Sequence, residues 1–106
     1  MFVINGKVWR VQMVRSDYPL LQQPNGRFAV GVCDYNYKII CISNRLKGKD
    51  FKTTLCHEIV HAAMFSYDID IGHDEEEFIA EFIARYGHEI ITITDTIFKQ
   101  KKKGRY

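Results

Sequence analysis

The 106-residue sequence contains no run of about 18 apolar residues, which excludes a membrane-spanning helix. It has three cysteines, Cys33, Cys41 and Cys56, an odd number without a CxxC pair. That count argues against a disulfide framework and against a thiolate zinc knuckle. Residues Met1-Phe2-Val3-Ile4-Asn5-Gly6 lack the charged-then-apolar order of a signal peptide. These absences lead to the expectation of a cytoplasmic protein with no membrane partner, whose thiols are reduced and serve as small hydrophobes. Internal repeats are missing, and the one biased segment is a lysine-rich end.

What is present suits one folded domain. Hydrophobic residues make up 46% and charged residues 26%, enough apolar material for a core and too little net charge for disorder. The net charge of +2 is uneven, because Lys99, Lys101, Lys102, Lys103 and Arg105 fall in the last eight residues. We expect a single domain over residues 1–98 and a basic, flexible tail over 99–106. Such a tail can hold a phosphate backbone by charge alone.

Val3-Ile4 and Val8 to Val14 flank Asn5-Gly6, a strong two-residue hairpin signal. Ser16 to Arg27 holds both prolines and reads as a loop. Phe28 to Cys33 and Tyr37 to Ser43 read as a second hairpin around Asp34-Tyr35-Asn36. From Asp50, a candidate N-cap, Phe51, Leu55, Ile59 and Ala62 or Ala63 recur at helical spacing, which predicts a helix to about Phe65. Tyr67 to Gly72 breaks it, and Asp74 caps a second predicted helix that stops near Gly87. Residues 89–98 fit either a strand or a third helix, and the helix is the reading taken. The expected fold is α+β, a small antiparallel sheet of two hairpins followed by two helices packed on it.

The chemistry concentrates in His57-Glu58-Ile59-Val60-His61. Histidines four apart share one helix face, so both imidazoles can reach one metal ion. Glu58 projects beside that point, where its carboxylate can take a proton from water. A catalytic zinc wants three protein ligands and an open position. Glu77 is the favoured third ligand, because Glu81 one turn later can then hydrogen-bond a ligand histidine. His73 is the alternative third ligand, with Glu76 behind it. Glu77 also has a bland reading, as partner of Asp74 in a capping box.

Thr53-Thr54-Leu55-Cys56-His57-Glu58-Ile59-Val60-His61-Ala62, followed by Glu76-Glu77-Phe78-Ile79-Ala80-Glu81-Phe82-Ile83-Ala84, resembles the small phage-type and ImmA/IrrE-type metallopeptidases. The resemblance covers residues 50 to 86 and implies a zincin-like, gluzincin-type domain with zinc on His57, His61 and Glu77. The interval from His61 to Glu77 is short for that pattern, and Glu81 stands where related motifs often have Asp or Asn. A partial similarity to SprT-like proteases, through Gly72-His73, implies His73 as the ligand instead.

The sequence therefore predicts a zinc metallopeptidase acting on a protein or peptide, with Glu58 as catalytic base. Tyr67, His73, Tyr86 and His88 are candidates by residue type for stabilising an oxyanion. Strand Tyr37 to Ser43, as a sheet edge, would pair with an extended substrate. The rival readings are a zinc-binding regulatory or interaction module without turnover, and a nucleic-acid-associated protein using the basic tail.

Overall fold

Asn5 and Gly6 both take positive φ, 48° and 76°, as a two-residue hairpin turn requires. Around them β1 (Phe2–Ile4) pairs antiparallel with β2 (Lys7–Val14) in the computed structural model, which describes residues 1–105. The loop after β2 contains a short 3-10 turn, Pro19–Leu21. It leads to β3 (Gly31–Asp34) and β4 (Ile39–Ser43), a second antiparallel hairpin whose turn is tied by Asp34 Oδ1, which accepts from the Asn36 and Tyr37 amides. Two α-helices follow among the described residues, α1 (Gly48–Ser66) and α2 (His73–Lys102).

The class is α+β, but the sheet is mixed and not antiparallel throughout. Its order is β1-β2-β4-β3, with β2 and β4 parallel from Arg10↔Ile39 to Val14↔Ser43. β4 is thus an interior strand, and the predicted Tyr37–Ser43 edge does not exist. The reason lies in its side chains: Ile39, Ile40, Cys41, Ile42 and Ser43 are all buried, so both faces of the strand are covered. An unbroken apolar run is what a strand with neighbours on both sides carries.

Each face of β4 feeds a separate core. Ile40 and Ile42 pack with Trp9 and Ala62 beneath α1, with Phe51, Leu55 and Ile59 at the margin. Ile39 and Cys41 pack with Val14 and Leu21 on the reverse face, where the 3-10 turn covers the sheet. The helical spacing of Phe51, Leu55, Ile59 and Ala62 thus marks the face that α1 lays on the sheet.

The helices differ from expectation in their ends and in their packing. Lys47 and Gly72 hold the N-cap positions, which leaves Asp50 and Asp74 inside the first turns, where their charges interact favourably with the positive ends of the helix dipoles without forming a side-chain cap. α2 packs on α1 through Ala80 against Val60 and Met64, and not on the sheet. Gly87 does not end α2: the residues expected to form a third helix continue the second to Lys102, without a break at residue 98. A glycine costs a helix interior only about 1 kcal/mol, and the isoleucine spacing runs straight through it.

The hairpin and α1 are tied at one point. Trp9 is fully buried and its indole N–H donates to Ser66 Oγ at 2.9 Å, while Asn5 Nδ2 and Lys7 Nζ donate to the Ser66 carbonyl at 2.9 and 3.1 Å. Ser66→Ala strands the buried indole donor. It should lower stability by about 1–3 kcal/mol, read as a reduced urea midpoint at unchanged slope.

Candidate metal centre

α1 and α2 run antiparallel across the short Tyr67–Gly72 connection, so later residues of α1 face earlier residues of α2. His61 meets Glu76 and Glu77, and His57 meets Glu77 and Glu81. The two Nε2 atoms are 3.3 Å apart. Glu77 lies between them, Oε2 3.3 Å from His57 Nε2 and Oε1 2.7 Å from His61 Nε2. His57, His61 and Glu77 form a group able to bind a metal ion, with one ligand atom from each inside a 4.8 Å span.

The chemistry of this donor set fits a cation. His57 Nδ1 faces Glu81 Oε1 at 3.2 Å, and His61 Nδ1 faces Glu76 Oε2. A proton on each Nδ1, donated to its carboxylate, leaves both Nε2 lone pairs aimed at the Glu77 oxygens. With that tautomer the inner nitrogens and the Glu77 oxygens are all acceptors, a set whose mutual repulsion a cation at the centre would relieve. Tetrahedral ligands about 2.05 Å from zinc are roughly 3.3 Å apart, the separation of the two Nε2 atoms and of His57 Nε2 from Glu77 Oε2.

The outer carboxylates are themselves held. Arg85 donates to Glu81 Oε2 from Nε at 3.1 Å and Nη2 at 3.0 Å, and these bonds keep the Glu81 carboxyl below the usual range. Tyr35 Oη donates to Glu76 Oε2 at 3.2 Å. Its ring stacks on Phe65, centroids 4.9 Å apart and planes 2° from parallel, and Phe65 meets Trp9 edge-on. Burial first, then Glu76, pushes the Tyr35 phenol up, so it stays a neutral donor.

Glu58 sits one residue on from His57, about 100° around α1, and its carboxylate comes up to Gly31 of β3. Its side chain is buried, and burial pushes its carboxyl up while His57 and His61 pull it back. Gly31 on β3 makes room for it: a Cβ there would stand 3.2 Å from Glu58 Oε2 and 2.8 Å from Thr54 Cγ2. The result is a cleft of about 850 Å³ floored by α1, with the β3 edge on one side and α2 on the other. Cys33 lines it as a neutral thiol, pushed up by burial and then by Glu58.

The structure brings His57, His61, Glu77 and Glu81 together as the spacing suggested. His73 lines the cleft but lies outside the three-residue group, on the first turn of α2. Tyr67, Tyr86 and His88 do not line the cleft, which removes them as oxyanion candidates there. Glu76, behind His73 as an alternative ligand, contacts His61 Nδ1, a role that sequence reasoning missed. An antiparallel helix pair implies it, since a residue near Glu77 must face His61 once Glu81 faces His57. Tyr35 and Gly31 carried no local signal, being placed by a turn and by a strand edge. No protein-family model, curated protein or solved structure matches the chain.

Two consequences can be measured by competition titration with a chelating dye. If the group binds a divalent metal, Glu77→Ala should weaken that binding far more than His73→Ala, because only the first removes a converging oxygen. Glu76→Ala should weaken it about 10- to 100-fold, as losing the partner of a ligand imidazole does. Equal, negligible effects of Glu77→Ala and Glu76→Ala would contradict the arrangement.

Proposed function

We propose that the chain is a zinc-dependent peptidase of the zincin type, with His57, His61 and Glu77 holding the metal and Glu58 as general base. The observation that supports it most is the pair of directions taken from one helix turn: two imidazoles toward the carboxylates of α2, and a buried glutamate toward the opposite wall. A metal used only for structure needs no basic carboxylate beside it and no open cleft. The resemblance of residues 50 to 86 to small phage-type and ImmA/IrrE-type metallopeptidases points the same way.

When bound, zinc supplies Lewis acidity, polarising a carbonyl and lowering the pKa of water. The protein residues divide the remaining work. Glu58 takes the proton of the attacking water and returns it to the departing amine. Glu76 and Glu81 fix the imidazole tautomers, and Tyr35 and Arg85 orient those two carboxylates.

The substrate strand pairs with β3 and not with β4. Ser43 N–H bonds the Val30 carbonyl at 2.8 Å, and antiparallel alternation from that bond leaves the backbone groups of Gly31 and Cys33 facing the open edge. An extended peptide added there would run beside Glu58 and the metal ligands.

Four substitutions test the reading with zinc content and peptide hydrolysis measured together. His57→Ala or His61→Ala should lose the metal. Glu58→Gln should keep the metal and the fold but abolish hydrolysis, since an amide cannot take the proton. Gly31→Ala should retain zinc while lowering turnover, because the new methyl group displaces Glu58 and Thr54. Full turnover of Glu58→Gln would reject the enzymatic role, and zinc binding without turnover in the unaltered protein across a broad peptide library would favour the regulatory-module reading.

A further inference from the structure

α2 is 30 residues long, yet Ala80 is its one buried residue, and every position from His88 to Lys99 is exposed. Along it Ile79, Ile83, Tyr86, Ile90, Ile93 and Ile97 alternate spacings of four and three, the heptad pattern of a coiled-coil seam. These side chains are 37 to 53% exposed, so the seam lies open for roughly 27 Å of helix. It is separate from the face that α1 covers: Ile79 and Ile83 precede Ala80 and Ala84 by one residue, which turns them about 100° away. Beyond Gly87 the helix projects clear of α1, and the molecule measures 56 × 30 × 27 Å. A continuous apolar stripe of this length on a water-facing helix marks an interaction surface.

The charges identify its occupant. The first turn of α2 carries Asp74, Glu75 and Glu76, and the last carries Lys99, Lys101 and Lys102. A second copy laid in parallel would set acid on acid and lysine on lysine. Laid antiparallel, it brings each acidic start against the other copy's basic end and opposes the two helix dipoles. The spacing is also its own complement in that orientation. With a twofold axis at the level of His88, Ile79 faces Ile97 of the second copy, Ile83 faces Ile93, and Tyr86 faces Ile90, so every seam layer pairs an apolar residue with another.

We propose that the chain forms a twofold homodimer through antiparallel pairing of the α2 seams, leaving the cleft residues outside the interface. Such an interface is isologous, with one patch used twice. The acidic start of α2 also carries Glu76 and Glu77, so the basic end of each copy lies beside the other's cleft.

The test is the mass of the full chain by sedimentation equilibrium over a range of concentrations, with zinc content followed in parallel. The unaltered protein should weigh twice its 12.4 kDa chain mass. Ile90→Glu/Ile93→Glu should be monomeric with unchanged circular dichroism and zinc content, because both residues lie on the part of α2 that α1 does not touch. Lys101→Glu/Lys102→Glu should weaken association at low salt, and adding Asp74→Lys/Glu75→Lys should restore it. A monomer at high micromolar concentration, a dimer that survives the isoleucine substitutions, or charge reversals without effect would overturn the proposal. So would a monomer that uses these isoleucines to bind anionic phospholipid vesicles. Dimerisation without zinc would leave the pairing intact and reject the peptidase reading alone.

Discussion

The antiparallel crossing of α1 and α2 is the constraint on which the site depends. A histidine pair four residues apart can chelate only if both rings are turned the same way, and a ring on a helix surface is free to rotate. Here each Nδ1 meets a different carboxylate of the neighbouring helix, Glu81 for His57 and Glu76 for His61. The two carboxylates are five residues apart and the two histidines four, so one helix pairing serves both rings. Glu77 falls between the outer carboxylates and reaches the inner nitrogens. The short connection after Ser66 enforces this pairing, and Trp9 holds the end of α1 from which it starts.

The cleft follows from the same helix seen from its other side. α1 lies on the sheet through Ala62 and the margin residues Leu55 and Ile59, which brings Glu58 against β3. β3 can approach this closely because residue 31 has no side chain. Interior placement of β4 makes that approach possible, since it puts β3 at the rim beside the helix. Tyr35, in the turn after β3, then reaches across to Glu76. Sheet edge and glutamate helix are thus linked by a hydrogen bond that passes over the front of α1.

What the sequence made legible were interactions of short range. The Asn5-Gly6 turn, the face of α1, the shared face of His57 and His61 and the Glu77–Glu81 spacing all follow from local period and local chemistry. The parallel pairing of β2 with β4 joins segments about 29 residues apart, and turn signals say nothing of it. The run Ile39-Ile40-Cys41-Ile42 did carry the clue, because a strand apolar on both faces belongs inside a sheet. Gly87 misled in the opposite way. Glycine marks a helix end when it adopts positive φ, and Gly87 is not among the glycines that do.

The metal-centre assignment is tested most directly by zinc K-edge X-ray absorption on the zinc-loaded protein. Coordination by His57, His61 and Glu77 with one open position predicts a four-coordinate nitrogen and oxygen shell at about 2.0–2.1 Å, outer-shell scattering from two imidazoles, and no sulfur. A third imidazole would move the ligand to His73, and a scatterer at about 2.3 Å would bring in a cysteine. Either result would contradict the central claim.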